Sequence, residues 1–579
     1  MIRGRRFVDP ARGWPVGSFL VLLILTFLPC SASRLLAAAP VLDQIYPVAV
    51  PVGATTAVAA AGKIGTWPPQ VWTDAPGITF HAEKAAGQFN VEVGPDTPIG
   101  PHLIRVYNET GASAPRFVIV TAGPQGTEVE PNDEFTKPQV VEYLPIAING
   151  RLNKGGDVDS FAVTLDAGQT LIASVEAYVL ASPVDAVLRL VDTQGLELAL
   201  NHDDGRTLDP KLVWTAKTAG TYVLQLFGFA HPATADVKFT GSDACVYRLH
   251  LSRGPHLGYT VPLGLPRAKP AKLRVFGWNL GELVGREFEV DAAASTADSS
   301  QVTWHRPEFE NGLALPVVDG PEWEEANFPR RVGEEPAPAP PFAVTGCIEK
   351  IGEEDRFGFT AAKGDKLVLE LQSAALGFPL DAWLAIQDAT GKELVRNDDV
   401  SSADPLLEWT APATGSYTAV VGSVLHRAGP DHLYRLSLRS ARPRLEAIIA
   451  ESGFAIEPGK TVKIKITARR VQGFNAKVTF SAVDLPAGLT SSPVELGGTE
   501  KEVTVELTAA TDAPPFNGPV QIQFHEENSE AIQLAIHEMA STTLNNGVPQ
   551  GFRDLVIRST DKIWLTVLAA PKPKPAEEK

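Results

Sequence analysis

Short runs of alternating or continuous apolar residues, closed off by Gly, Pro, Asn and Asp, recur along the whole chain. LIASVEA (Leu171 to Ala177), KLVLELQ (Lys366 to Gln372), KEVTVELTA (Lys501 to Ala509) and PVQIQFH (Pro519 to His525) each read as a strand bounded by turn residues. Thr461 to Ala468 sets Lys463 and Lys465 on one face and Val462, Ile464 and Ile466 on the other, as a half-buried antiparallel strand requires. Long amphipathic helical patterns are scarce, and the regular turn signals predict sandwiches rather than βαβ units. The stretch from Glu526 to Phe552 is less regular and is expected to hold a long loop or short helix.

The pattern also repeats. DSFAV…DAVLRLVDTQG, from Asp159 to Gly195, returns as DRFGF…DAWLAIQDATG from Asp355 to Gly391. Phe161 and Phe357, Asp185 and Asp381, and Gly195 and Gly391 are each 196 positions apart. The offset then drops to 195 for Asp203-Asp204 with Asp398-Asp399, Asp209-Pro210 with Asp404-Pro405, Trp214 with Trp409, and Gly220-x-Tyr222 with Gly415-x-Tyr417. Tyr247-Arg-Leu249 and Tyr434-Arg-Leu436 close the two copies. Ahead of them, PVAVPVGATTAVAAAG (Pro47 to Gly62) pairs with PLGLPRAKPAKLRVFG (Pro262 to Gly277), with the same Pro-to-Gly spacing of 15.

The expected fold is all-β, a tandem of sandwich modules. Residues 40–122 and 254–325 form small Ig-like or IPT-like domains, 127–253 and 328–441 larger sandwiches, and 442–570 a last Ig-like domain. The Lys/Pro/Glu-rich end, 571–579, is expected to be disordered. A chain of 579 residues is too long for one core, which agrees with such a division.

A formal charge of −17 argues against nucleic acid as a partner, because phosphate binding needs a clustered basic surface. The first 39 residues read as a signal peptide. Arg3, Arg5, Arg6 and Arg12 precede the apolar run Phe19 to Leu28, and small residues follow to Ala39. The mature chain is therefore expected to be secreted, periplasmic or on the cell surface, with no transmembrane segment. Cys30 leaves with the signal. Cys245 and Cys347 fall in different modules and read as buried free thiols, with a bridge between them as the alternative in an oxidising compartment.

The segments EVEPNDEFTKPQVV, GDVDSFAV, AGQTL, PVDAVLRLVDTQG, NHDDG and AGTYVL together resemble the bacterial pre-peptidase C-terminal (PPC) domain. The resemblance spans about Thr127 to Arg253 and, less completely, Phe328 to Arg442. It implies jelly-roll-like sandwiches of the kind appended to secreted peptidases, including the collagen-binding domains of clostridial collagenases. In those relatives a Glu-x-Glu-x-Asn-Asp stretch binds calcium with acidic residues of a following strand. Carried over, the resemblance implies a Ca²⁺ site of Glu128, Glu130, Asn132 and Asp133 with Asp157 and Asp159. Alternation does place Glu128, Glu130 and Asn132 on one side of an extended segment, and Ca²⁺ takes six to eight oxygen ligands. Pro131-Asn132-Asp133 is equally good turn chemistry on its own. In the second copy the lead-in reads as Val332-Gly-Glu334-Glu335-Pro336-Ala337, with Asp355 kept and the Asn-Asp pair gone, so no calcium is expected there. Asp203, Asp204 and Asp209, and Asp398, Asp399 and Asp404, form acidic loops that read first as turns and second as metal sites. Trp214, Trp409, Phe161 and Phe357 read as core aromatics, or as an exposed strip gripping collagen or a glycan.

Catalytic patterns are missing from the sequence. There is no Gly-x-Ser-x-Gly elbow and no His-Glu-x-x-His, since His525-Glu526 and His537-Glu538 lack a second His at the right spacing. His202 beside Asp203 looks like a dyad fragment, yet Asn397 is read as its counterpart. The expectation is a non-enzymatic protein that binds an extracellular protein or polysaccharide; the alternative is a structural envelope component or accessory partner of a secreted peptidase, and the outsider is a divergent secreted peptidase.

Overall fold

A computed structural model of the chain describes residues 38–204, 207–231, 234, 238–292, 300–329, 337–399, 403–527, 529–540 and 556–570. Nearly all of the expected signal segment, the tail 571–579, Val332 to Pro336 and most of the irregular stretch after Ala540 lie outside them. The described residues are all-β. Their only helical elements are single 3₁₀ turns, and no helix among them is long and apolar enough to cross a membrane.

Face-to-face sheet pairs follow one another along the chain. In the first small sandwich, Val41–Tyr46, Thr55–Lys63, Gln88–Val93 and Ile78–Ala82 form one sheet; Ala49–Pro51, Arg116–Thr121, Gly100–Asn108 and Gln70–Thr73 form the other. The second small sandwich keeps a reduced version. His256–Val261, Ala271–Trp278 and Glu287–Val290 face Leu265–Pro266, Leu313–Val318 and Gln301–Trp304. Both place a glycine at one bulge. Gly62 lies opposite Leu42 and Gly277 opposite Leu257, each where the register slips by a residue. A Cβ there would fall 2.2 Å from Val41 O or 2.1 Å from His256 O, so only glycine fits the close approach. The paired Pro-to-Gly segments thus have one structural reason.

The large sandwiches share a strand order. In the first, Gln125–Thr127, Ile146–Arg151, Val246–Ser252, Thr170–Glu176 and Lys211–Thr215 make one sheet. In the second, Glu322–Glu324, Phe342–Cys347, Leu433–Ser440, Lys366–Gln372 and Leu406–Thr410 match them one for one. Asp159–Leu165, Gly220–Ala230, Val184–Val191 and Glu197–Asn201 of the facing sheet likewise match Glu354–Ala361, Gly415–Ser423, Ala382–Asp388 and Glu393–Asn397. Phe161 and Phe357 are buried in the two cores, and Trp214 and Trp409 pack against them from partly buried positions. Each Trp leans on a Tyr, with centroids 4.6 Å apart for Trp214–Tyr222 and 4.8 Å for Trp409–Tyr417. Those tyrosines donate back to the carbonyl four residues upstream, Thr218 and Ala413, both at 2.6 Å. This is the tyrosine-corner device of β-sandwiches, and it accounts for the repeated Gly-x-Tyr.

In the last sandwich, Thr461–Val471 shows the expected alternation. Ile464 and Ile466 are fully buried while Lys463 and Lys465 are exposed. Its docking was not legible in the sequence. Each sandwich touches the next, through Asn149 to Ala49, Asn279 to Thr170, Thr345 to Leu263 and Gln472 to Arg439. The last then returns to the first. Arg105 donates to Ser452 O at 2.9 Å, Asn517 to Asn108 O at 3.0 Å, and Trp72 and Tyr107 both pack on Trp564. The tandem closes into a circuit.

Candidate cation site

The site forms where the chain enters the first large sandwich. Gln125–Thr127 pairs in parallel with Ile146–Arg151, and the Glu128 amide continues the ladder to Asn149 O at 2.9 Å. This holds Glu128 beside the strand end, where its carboxylate accepts the Arg151 amide. The following turn is tacked down by Asn132 O, which accepts the Ser160 amide at 3.1 Å. Asp157 and Asp159 flank the start of strand Asp159–Leu165, and both are fully buried.

All six residues singled out in the sequence converge. Ligand oxygens of Glu128, Glu130 and Asp159 lie within 4.8 Å of one another, as do those of Glu130, Asp133 and Asp157, so Glu130 belongs to both groups. The Asn132 amide is buried between them. Its side-chain oxygen faces Glu130 Oε2 and Asp159 Oδ1, and a half-turn of the amide would instead let its nitrogen donate to them at 3.1 and 3.2 Å. Asp133 Oδ1 and Asp157 Oδ1 are buried with no hydrogen-bond partner. Orphaned buried carboxylate oxygens are costly unless something positive meets them.

Sequence reading missed the supporting residues. Tyr247 donates to Asp159 Oδ2 at 2.7 Å, Asn153 donates its backbone N–H to Asp157 Oδ2 at 2.6 Å and its side-chain amide to Glu130, and Lys154 Nζ stands 2.8 Å from Asp133 and 3.7 Å from Asp157. The repeated Tyr-Arg-Leu was the one signal that could have found Tyr247. Lys154 partly balances the outer group, while the Arg151 guanidinium turns away to Asp243 and the Tyr46 ring. Charge therefore accumulates on the inner group. Burial, then the neighbouring Glu128 carboxylate, push Asp159 far above its ordinary range, and burial raises Glu128 as well. The donor set is all oxygen, with neither His nor Cys, which suits a hard cation such as Ca²⁺.

The acidic loops divide. Asp209 is buried and accepts the amides of Ala177, Tyr178 and Val179 at 2.9, 2.7 and 3.1 Å; Asp404 does the same for Ser373, Ala374 and Ala375 at 3.0, 2.9 and 2.9 Å. Both cap 3₁₀ turns, which corrects the metal reading for these two. The Asp204 amide closes the same loop onto Asp209 O at 3.2 Å. Asp398 and Asp399 are exposed, and Asp398 Oδ1 accepts the Asp399 amide. Asp203 joins Asp185 and His202, with His202 Nε2 3.1 Å from Asp185 and Nδ1 3.9 Å from Asp203. His202 has no counterpart in the second copy. Asn201 and Asn397 are the matching pair, each accepting the amide that opens the next strand, so His202 is the extra residue of its loop. Cys245 and Cys347 are free thiols, the first buried and the second half-buried.

The second lead-in also needs correction. Glu322–Glu324 pairs with Phe342–Cys347 as Gln125–Thr127 pairs with Ile146–Arg151, so the sandwich is entered at Glu322 and not at Val332. Counting from Gly123-Pro124 and Gly320-Pro321, Glu325 stands for Glu128, while Asn327, Pro329 and Arg330 replace Glu130, Asn132 and Asp133. No cation-type cluster forms there among the described residues.

No family model matches the chain. A stretch of 70 residues, 12% of the chain, is 37% identical to a probable subtilase-type serine protease of Deinococcus radiodurans, and the chain spans a tenth of that relative's length. Among solved structures, domains 4 and 5 of the S-layer protein SbsC match 28% of this chain and 69% of theirs, at 16% identity and a TM-score of 0.15. The four N-terminal Ig domains of Dscam1 match 86% and 98%, at 12% identity and a TM-score of 0.18. Superpositions this loose say nothing of function.

Proposed function

We propose that the chain is an exported, non-catalytic binding scaffold. Its first large sandwich is a Ca²⁺-stabilised PPC-type module, and its sandwiches present loops to an extracellular protein or polysaccharide. The supporting observation is the convergence of five carboxylates and the Asn132 amide in two groups that share Glu130, buried at Asn132, Asp157 and Asp159 and open to solvent at Glu130, with Lys154 as the ammonium beside them. Glu128, Glu130, Asn132 and Asp159 would hold the ion, with Asp133 and Asp157 completing the outer side. Bound Ca²⁺ supplies positive charge and ties the lead-in segment to the strand that carries Asp159.

The test is the melting of the full chain with Ca²⁺ or with EDTA. Ca²⁺ raises the melting temperature by several degrees, by mass action on the folded state. Glu130→Ala with Asp133→Ala abolishes the rise; an unchanged curve in the parent rejects the site. Pull-downs on collagens and cell-wall polysaccharides then test the partner class, with binding lost in EDTA. The stretch shared with a subtilase-type protease favours a second reading, an accessory to a separately encoded peptidase. Co-purification with such a peptidase, without glycan or collagen binding, selects that reading.

A further inference from the structure

Where the last sandwich returns to the first, the two border a cavity of 330 Å³, at the small end of the range for small-molecule sites, about 300–1,000 Å³. One wall is the outer face of the last sandwich. Trp564 and Thr566 alternate there with Ile563, Leu565 and Val567, which belong to the core, and Gly453 and Ala455 lie beside them in parallel register. Residues 111–114 of the first sandwich form another wall. Gly453–Ile456 is an edge strand, and the carbonyls of Ser452 and Ile456 accept the Trp564 and Leu568 amides at 2.9 Å. Gly453 and Ala455 fall between these bonds and direct their own backbone groups to the free edge of the sheet.

Among the described residues, the ionisable side chains on the lining are buried Arg105 and exposed Glu451. Arg105 Nη1 donates to Ser113 O at 2.8 Å and Ser452 Oγ at 3.4 Å, and Nη2 donates to Ser452 O at 2.9 Å. A guanidinium has more N–H groups than these bonds use: Nε–H and one Nη2 hydrogen meet no acceptor among the described residues. The two are parallel, and together they make the side-on fork that takes both oxygens of one carboxylate. We propose that this cavity binds a small organic carboxylate, its charged end on the unused fork of Arg105 and its apolar body beside Trp564, between the first and last sandwiches. Glu451 stands on the exposed side, where solvent screens it. A free acid and the C-terminus of a peptide offer the same group; the open edge at Gly453 and Ala455 suits the second.

Calorimetric titration of the full chain tests this with phenylacetate, phenylacetamide, and the dipeptide Gly-Phe with a free or an amidated C-terminus. Phenylacetate binds, and its neutral amide binds at least about tenfold more weakly. Free Gly-Phe that binds more tightly than phenylacetate assigns a peptide end, and weaker binding assigns a free acid; either supports the proposal. Arg105→Lys keeps the charge, loses the fork and weakens phenylacetate at least about tenfold. Because Arg105 also joins the two sandwiches, Ala455→Leu is the second variant. It fills the cavity from the outer face, leaves the Arg105 bonds in place, and abolishes binding with an unchanged radius of gyration. Binding that is absent in the parent, equal for acid and amide, or kept in Ala455→Leu overturns the proposal.

Discussion

The phenol of Tyr247 bridges to Asp159 over the backbone of Gly150, and Tyr434 spans Gly346 to Asp355 in the same way. A Cβ on Gly150 would fall 2.0 Å from the Tyr247 ring, and one on Gly346 would fall 2.3 Å from Tyr434. Glycine, tyrosine and aspartate therefore act as a unit in both copies. Tyr434→Phe leaves buried Asp355 short of a donor, which costs about 1–3 kcal/mol. Gly346→Ala costs at least as much, because the ring has nowhere to move. Denaturant titration of the two variants against the parent checks the order.

Lys154 stands where a second positive charge is most welcome without Ca²⁺ and least welcome with it. Its ammonium pairs with Asp133 and Asp157, and the Asp133 hydrogen bond raises its pKa. Lys154→Ala lowers the melting temperature in EDTA and tightens Ca²⁺ binding about tenfold, the scale of one unit charge moved a few ångströms from a partly screened ion. Calorimetric titration of both forms measures it. An affinity that falls instead means that Lys154 orders the ligand turn.

Asp209 and Asp404 cap their turns through three amides each, so their role is structural. Asp209→Ala and Asp404→Ala each lose about 1–3 kcal/mol, with the same loss in Ca²⁺ and in EDTA. Thermal melts under the two conditions separate a cap from a ligand.

The fold was legible because its signals are local. Alternation in Thr461–Val471, the Gly-x-Tyr corners and the Pro-to-Gly bulges each depend on a few neighbouring residues. That the six residues lie near one another was foreseeable too, since alternation sets Glu128, Glu130 and Asn132 on one side of the lead-in and the resemblance adds Asp157 and Asp159 from the following strand. Two features were hidden. The second lead-in was misplaced because Glu334-Glu335-Pro336 mimics Glu-x-Glu-Pro, while the true register is set by pairing Glu322–Glu324 with Phe342–Cys347. Ring closure was invisible because Arg105 and Ser452 meet across 347 residues, and no periodicity spans that distance.

Arg105 is the clasp of that closure. It is 1% exposed, donates to Ser113 O at 2.8 Å and Ser452 O at 2.9 Å, and lies 6.0 Å from the Trp564 ring centroid. No carboxylate pairs with it among the described residues, and burial lowers it to about 10. It borders a cavity of 330 Å³ lined also by Ser452 and Trp564. A buried guanidinium satisfied mainly by carbonyls is tolerable only while both sandwiches supply them. Arg105→Met keeps the bulk and removes the bonds, at a cost to docking of about 1.5–3 kcal/mol for hydrogen bonds to a charged group. The radius of gyration in solution scattering then rises, and exchange quickens at Gly453–Ile456, while the separate sandwiches still melt as before. Arg558→Ala, at a more exposed contact with Asp74, has a smaller effect on both readouts. An unchanged radius in Arg105→Met would assign the joint to Trp72, Tyr107 and Trp564 instead.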